Sequence, residues 1–240
     1  MSTLSELLRD AAALVLPPVC PVCGTRLMPG ERGLCTLCRL TAPLTGYCGE
    51  ADNPVLRKFW GLVPVVRASA FLYYVRDSGW RRMIHGFKYR GAWLAARTMG
   101  EWYGECLAES GLYGGVDAVV PLPLHPVKRI WRGYNQSEYL AEGIAAALGV
   151  AVDRRSVRRS RHTASQALKP HRERAGNVEG AFAVRYPERL AGRHILLVDD
   201  VMTTGSTLAS CAQAIVQAVP DCRISIAVLA VSRRELGLKE

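Results

Sequence analysis

The stretch ILLVDDVMTTGST, residues 195–207, joins an apolar segment, two adjacent acids and a run of small hydroxylated residues. Residues 195–198 are typical of a buried strand, which places Asp199 and Asp200 at its carboxyl end. Ligands of open α/β sheets bind at the carboxyl ends of the strands. Two neighbouring carboxylates repel each other and lose hydration there, so they need hydroxyl donors or a cation. A ribose diol would supply two such donors.

The next residues, TTGST at 203–207, lie where a helix is predicted to begin. Backbone amides at a helix N-terminus, together with three threonine hydroxyls and one serine hydroxyl, form a cradle for an anion. Gly205 allows the backbone to approach a phosphate closely. Acids that hold a diol, followed by a phosphate cradle, indicate a site for ribose 5-phosphate.

Four of the eight cysteines form two Cys-x-x-Cys pairs separated by eleven residues, namely Cys20, Cys23, Cys35 and Cys38. This spacing suits tetrahedral zinc, because each pair can turn two thiolates towards one centre. A closed four-sulfur site leaves no position for a substrate, so the predicted zinc is structural. Cys48 has no partner two or three residues away. It is either the remnant of a second cysteine pair or a small buried residue.

The composition indicates a globular protein with one sizeable domain and a smaller segment. The chain has 240 residues, 49% of them hydrophobic, and a formal net charge of +10. No run of about 18 apolar residues occurs, so no membrane insertion is expected. Residues 3–15 predict a short amphipathic helix rather than a targeting signal, since acidic residues interrupt the apolar stretch. We expect a cytoplasmic protein.

The hydrophobic patterns predict strands that alternate with helices, and therefore an α/β fold with a parallel sheet flanked by helices. Strands are predicted at 62–75, 117–124, 194–198 and 223–231, and helices at 78–110, 137–149 and 206–219. A basic loop is predicted at 125–136 and an arginine-rich loop at 154–177. We expect an N-terminal helix and zinc segment at 1–50, followed by a domain at 51–240, with accessory elements at 62–115 and a core at 116–240.

The stretch 195–207 closely resembles the phosphoribosyl pyrophosphate (PRPP) binding motif of type I phosphoribosyltransferases. With the cysteine pairs in front of it, the whole chain resembles the ComF family. The resemblance is carried by FKYRG at 87–91, PLPLHPVKRIWRGYNQSEYLA at 121–141, HTASQALKPHRERAGNVEGAF at 162–182 and the motif at 195–207. The chain departs from the family at the second cysteine pair, of which Cys48 alone remains, and this puts a second zinc in doubt.

The resemblance implies a type I phosphoribosyltransferase-like sheet and a role for each part of the site. Asp199 and Asp200, the catalytic pair, would hold the ribose hydroxyls, and Asp200 would assist the magnesium-bearing substrate. The 5′-phosphate loop would consist of Val201, Met202, Thr203, Thr204, Gly205, Ser206 and Thr207. The loop at 125–136 would bind pyrophosphate through Lys128, Arg129 and Arg132, because arginine pairs well with phosphate oxygens.

The arginine-rich loop has three interpretations that the sequence leaves open. It is a solvated basic face, or a mobile lid that contacts an anionic substrate through Gln166, Arg172 and Arg174. In the third, it forms part of a surface for single-stranded DNA. That surface would combine phosphate attraction with base stacking. Its other residues would be the basic Arg81, Arg82, Lys88 and Arg90 and the aromatic Trp80, Phe87, Tyr89 and Trp93.

Two classes of function follow. The first is a competence factor that binds PRPP and handles single-stranded DNA together with DNA-uptake proteins, since the ComF family is linked to natural transformation. The second is a magnesium-dependent enzyme that transfers ribose 5-phosphate from PRPP to a nitrogenous acceptor in nucleotide metabolism, without a DNA role. A phosphoacceptor receiver domain is excluded because only 40 residues follow Asp200. A regulator that binds duplex DNA lacks a helix-turn-helix pattern.

Overall fold

A computed structural model describes residues 18–89, 91–159 and 180–239. The helix predicted at residues 3–15 lies outside the described residues. So do the predicted lid residues Gln166, Arg172 and Arg174, and Arg90 of the predicted DNA surface.

The centre of the fold is a parallel five-stranded sheet in the order β1-β7-β6-β2-β3. A separate antiparallel pair is formed by β4 and β5. In chain order the strands are β1 (Arg67–Tyr73), β2 (Ala118–Pro121), β3 (Ala151–Val152), β4 (Val157–Arg159), β5 (Phe182–Val184), β6 (His194–Met202) and β7 (Arg223–Val231). The predicted parallel sheet flanked by helices is confirmed.

Helices connect and cover the strands. They are α1 (Thr36–Leu40), α2 (Pro54–Arg57), α3 (Gly79–Tyr89), α4 (Trp93–Glu109), α5 (Pro126–Arg132), α6 (Gln136–Leu148) and α7 (Ser206–Ala218). Asn135 begins α6, since its side chain accepts a hydrogen bond from the Ser137 backbone N–H, and Gly149 ends it in a left-handed conformation. None of the helices in the described ranges is long and apolar enough to cross a membrane.

Both faces of the sheet are buried, as a parallel sheet requires. Alternate residues of β6 enter two separate cores, because successive side chains of a strand point to opposite faces. Leu196 and Val198 pack with α3, α4, α6 and the N-terminal cysteines. Ile195 and Leu197 pack with α2 and α7. The sheet is therefore the middle layer of three. The predicted site lies at its carboxyl edge.

Several predicted boundaries differ from the structure. The basic loop at 125–136 contains α5, which Pro126 begins and Gly133 ends with a φ of 78°. Residues 157–159 of the predicted arginine-rich loop form β4. The helix predicted at 78–110 is divided into α3 and α4 near Gly91, which has a φ of 66°. The strand predicted to end before Asp199 continues to Met202.

Helices α4 and α6 approach closely through glycines. A Cβ atom built at Gly143 would lie 2.2 Å from the Arg97 carbonyl oxygen, and one at Gly100 would lie 2.2 Å from that of Leu140. Gly143→Ala is therefore expected to lower the free energy of unfolding by about 2–3 kcal/mol, because neither backbone can yield. Urea denaturation measures the loss. Gly86→Ala in α3 is the control, because its Cβ would lie 3.7 Å from the nearest neighbouring atom, an ordinary contact distance. This substitution should be neutral or stabilising by up to about 1 kcal/mol.

Candidate functional site

The aspartates lie where the sheet becomes narrower. Strand β6 remains paired with β7 as far as the pair Met202↔Val231. On its other side, the last pair with β2 is Pro121↔Val198. Asp199 is thus the first residue of β6 without a β2 neighbour. It lies at the carboxyl edge, where open α/β sheets bind ligands.

The two carboxylates have different partners. The Asp199 Oδ1 atom accepts hydrogen bonds from Ser137 Oγ at 3.0 Å and from the Asp200 backbone N–H at 2.9 Å. Asp200 is 3% exposed, and its Oδ2 atom lies 2.7 Å from Lys88 Nζ near the end of α3. Asp200 is therefore neutralised by an ion pair, whereas Asp199 is held by neutral donors.

This arrangement shifts the pKa values of Asp199 and Lys88. Burial and the neighbouring Asp200 carboxylate raise the pKa of Asp199 to about 7. Burial disfavours the charge of Lys88, but the carboxylates of Asp200 and Asp199 outweigh it and raise the pKa of Lys88. Asp199 is therefore about half ionised at neutral pH, so its charge can respond to a ligand.

The loop between β6 and α7 has a shape suited to an anion. Gly205 begins α7 with a φ of 81°, in the region that favours glycine. The Thr204 Oγ1 and Ser206 Oγ atoms lie 3.0 Å apart. A small cavity of about 40 Å³ is lined by Asp199, by residues 201–203 and by residues 205–208. The structure thus brings the predicted 5′-phosphate loop against Asp199, at the N-terminus of a helix.

On the β2 side of the aspartates lies a group of cations. Burial lowers the pKa of Lys128, and the charges of Arg159, Arg132 and Lys88 lower it further. Arg159 is half-buried and close enough to Asp199 to interact with it electrostatically. The four cations therefore exceed the two aspartates in charge, which favours a polyanionic ligand.

The three predicted pyrophosphate residues all belong to α5 but have different surroundings. Arg132 Nη1 donates a hydrogen bond to Gln136 Oε1 at 3.3 Å, close to the cation group. Arg129 Nη1 instead lies 3.2 Å from Glu138 Oε1 of α6. Lys128 and Arg132 thus lie together in the cation group, and Arg129 is paired with an acid.

The described residues of the predicted DNA surface have different surroundings. Trp80 and Phe87 are only 7% and 1% exposed, so they are not available for base stacking. Lys88 lies on Asp200 rather than on an open surface. Arg81 and Arg82 are exposed, and Arg81 Nε donates a hydrogen bond to the Tyr74 hydroxyl at 3.3 Å.

The four N-terminal cysteines converge on one point. Their sulfur atoms all lie within 4.8 Å of one another, and Cys23 Sγ is 3.6 Å from Cys35 Sγ. Zinc bonded to sulfur at about 2.3 Å in a tetrahedron places sulfurs about 3.8 Å apart, so this cluster fits the ion. Gly24, with a φ of 78°, forms the turn after the first pair. Cys20, Cys23, Cys35 and Cys38 could therefore hold a zinc ion.

Cys48 belongs to a different environment. Its thiol is hydrogen-bonded to that of Cys106 in α4, which together with burial raises the pKa of Cys48. Across the described parts of the chain, the four N-terminal cysteines form the one group of His, Cys, Asp or Glu with the spacing of a metal site. Cys48 is thus a partly buried residue that packs against Cys106, close to the interpretation of a small buried residue.

Sequence reasoning missed three contributors to the site. Lys88 was predicted for DNA contact, although its motif FKYRG was a visible signal of some special role. Ser137 follows the helix-capping Asn135 and reaches Asp199 only because α6 starts at the sheet edge. Arg159 is the last residue of the short strand β4, which lies in a segment whose sequence predicts a polar loop.

Comparison with known proteins supplies the family context. Residues 135–240 match the model of the phosphoribosyl transferase domain. The DNA utilization protein YhgH of Salmonella typhi is 32% identical over 211 residues, which cover 83% of this chain and 91% of that protein. Competence protein F of Haemophilus influenzae is 25% identical over 214 residues, covering 79% of this chain and 86% of that protein. Similarity therefore extends well beyond the matched domain.

Among solved structures, the chain resembles adenine phosphoribosyltransferase of Saccharomyces cerevisiae with a TM-score of 0.38 and 17% identity. The match covers 64% of this chain and 79% of that one.

Proposed function

The chain belongs to the ComF family of competence-related phosphoribosyltransferase-family proteins, and on that premise we propose that it binds PRPP across the carboxyl edge of β6. The observation that carries the proposal is the position of Asp199, which lines one cavity with residues 201–203 and 205–208 and adjoins the cations on its other side. PRPP has the matching order of groups, with a 5′-phosphate, a ribose diol and a pyrophosphate.

Each part of the proposed site then has a chemical role. The α7 N-terminus and the hydroxyls of residues 203–207 hold the 5′-phosphate. Asp199 accepts hydrogen bonds from the ribose hydroxyls, and Ser137 keeps its carboxylate in place. Lys128 and Arg132, with Lys88 and Arg159 nearby, balance the charge of the pyrophosphate. Arg129 joins them only if it leaves Glu138.

Magnesium bound together with PRPP would neutralise the charge of the leaving pyrophosphate. This ion usually retains water and substrate oxygens and takes one or two carboxylates from the protein. The family resemblance suggests Asp200 for this task. Its Oδ2 atom lies 2.7 Å from Lys88 Nζ. Contact between the ion and the Oδ2 atom of Asp200 therefore requires that Lys88 move away.

The names of the relatives and the net charge of +10 support a second part of the proposal, the handling of single-stranded DNA during uptake. In this proposal PRPP is a ligand of a DNA-handling protein. The alternative is an active phosphoribosyltransferase, in which a nitrogenous acceptor displaces pyrophosphate from the anomeric carbon. Both alternatives share the PRPP site and differ in what happens after binding.

Calorimetric titration of PRPP with magnesium tests the shared site. Wild-type protein is expected to bind, and the double variant Asp199→Asn, Asp200→Asn is expected to lose binding. Asp221→Asn is the control, because Asp221 is an exposed acid at the opposite edge of the sheet. Absence of binding to folded wild-type protein contradicts the proposal. Release of pyrophosphate with a nucleobase, an amine or ammonia then identifies the enzyme, and its absence favours a ligand-binding role.

A further inference from the structure

A second and larger cavity lies on the other side of the phosphate loop. Its volume is about 1030 Å³, and its walls come from the residues that follow β1 and β7, with Lys58 and Thr204. Thr204 also belongs to the predicted 5′-phosphate loop, so the two sites are adjacent. Strand β7 separates β1 from β6 in the sheet. The cavity therefore lies at the carboxyl edge but away from the pyrophosphate side, which follows β2.

The cavity carries an excess of unbalanced positive charge. Lys58, Arg76, Arg233 and Arg234 line it, with one acid, Glu235. Within the described ranges, none of these four cations has a carboxylate within 4.0 Å, whereas the nearby Arg57 is paired with Asp52 at 2.8 Å. Cations that line a concave surface and lack internal partners attract anions strongly, because the low-dielectric walls focus their field.

Flat side chains stand beside these charges. Tyr73 and Tyr74 line the cavity, and the Arg233 guanidinium lies 4.6 Å from the centre of the Tyr73 ring. The Tyr74 hydroxyl accepts the hydrogen bond from Arg81, and the Tyr73 hydroxyl lies 2.8 Å from that of Tyr47. Both rings are thereby fixed in orientation. A fixed tyrosine or guanidinium plane is the usual platform on which an unpaired base stacks.

From these observations we propose that the cavity at the carboxyl ends of β1 and β7 binds a short single-stranded segment of nucleic acid. Its phosphates contact Lys58, Arg76 and Arg234, and its bases lie against Tyr74 and against the Arg233 guanidinium on Tyr73. The volume of about 1030 Å³ lies at the upper end of the usual range for a small-molecule site, about 300–1000 Å³, and leaves room for more than one nucleotide. The inference rests on the proposed DNA-handling function and assigns it a location.

The test measures fluorescence anisotropy of a labelled oligothymidylate with the full chain. Arg76→Glu with Arg234→Glu is expected to weaken binding at least tenfold. The slope of log Kd against log salt should fall by about 1.4, since each phosphate contact on a single strand contributes about 0.7. Arg193→Glu with Arg223→Glu is the matched control. It makes the same change in charge with exposed residues at the amino ends of β6 and β7, and it should change binding less than twofold.

A second variant tests stacking. Tyr74→Leu is expected to weaken binding of oligothymidylate at least fivefold and to leave binding of an abasic oligomer of equal length unchanged. Two results would overturn the proposal. One is an equal loss of affinity in the Arg76→Glu, Arg234→Glu variant and in its control, and the other is equal affinity of the wild type for the abasic oligomer and oligothymidylate. Thermal melting verifies that each variant is folded. PRPP titration of the same variants separates failure here from failure of the PRPP site, because Arg76 and Arg234 lie outside that site.

Discussion

Asp199→Asn is expected to stabilise the protein by about 2 kcal/mol above pH 7 while it weakens PRPP binding at least tenfold. The carboxyl has a pKa of about 7 in the folded protein and about 3.8 when unfolded. A shift of this size corresponds to about 4 kcal/mol for a fully buried group, and solvent around the half-buried side chain removes about half. The carboxyl that we propose for diol binding is thus destabilising in the absence of a ligand.

The dependence of this gain on pH follows from the sign of the shift. Because folding raises the pKa of Asp199, the folded state retains a proton that the unfolded state releases, so the wild type loses stability as pH rises from about 4 to about 7. Above pH 7 the loss is complete. Asparagine does not titrate, so the difference in unfolding free energy between variant and wild type should grow over that interval and then level off. Melting curves at pH 5 and pH 8 measure it.

Asp200→Asn provides the contrast. Asp200 is the partner of Lys88, so its replacement removes the carboxylate that lies 2.7 Å from a largely buried ammonium and leaves only the weaker attraction of Asp199. Loss of one member of such a pair is strongly destabilising. We therefore expect opposite changes in melting temperature for two adjacent substitutions of the same kind. Equal destabilisation by both would contradict the different roles inferred for the two carboxylates.

Ligand binding should show the same titration. In the proposed complex the ribose hydroxyls donate to the ionised form of Asp199. Affinity for PRPP is therefore expected to increase about tenfold from pH 6 to pH 8, as the ionised fraction rises from about 0.1 to about 0.9. The phosphates of PRPP titrate in the same range. The Asp199→Asn variant measures the contribution of the phosphates alone, since it keeps every other group of the site. The same increase in both proteins would show that the ligand alone is responsible.

The parts of the fold that the sequence predicted well are those specified by local patterns. The run at 195–198 is apolar on both faces because both faces of β6 are covered, and the apolar stripe after Gly205 predicts α7. The four cysteines likewise lie within short segments whose turns bring them together. In each case the signal and the structure span the same few residues.

What the sequence did not reveal depends on contacts between distant segments. Lys88 and Asp200 are far apart along the chain and meet because α3 ends over the carboxyl edge of the sheet. The glycines that allow α4 to touch α6 have no local signature, since an isolated glycine in a helix usually indicates only weaker helix propensity. Helix α5 was missed although Pro126 and Gly133 were visible limits, because its charge pattern suggested a loop.

Removal of zinc is expected to destabilise the main domain as well as the cysteine segment. The cysteine cluster is part of the main core: Cys20, Cys35 and Cys38 pack in the same cluster as Met99 and Tyr103 of α4. The segment after it continues onto the sheet, where the Thr45 N–H donates to the Phe71 carbonyl oxygen and the Tyr73 N–H to that of Pro43. Loss of the ion would thus expose α4 as well as the small segment.

Structural zinc contributes on the order of 10 kcal/mol to folding of the segment that binds it. Because 1 kcal/mol shifts the melting temperature of a chain of this size by about 2–4 °C, chelation should lower it by at least about 10 °C even if much of the segment's stability is local. Metal analysis should find about one zinc per chain in wild type and in Cys48→Ser, and far less in Cys35→Ser with Cys38→Ser. Cys48→Ser is the matched control, since its thiol pairs with Cys106. An unchanged melting temperature after complete removal of metal would mean that packing against α4 holds the segment without the ion.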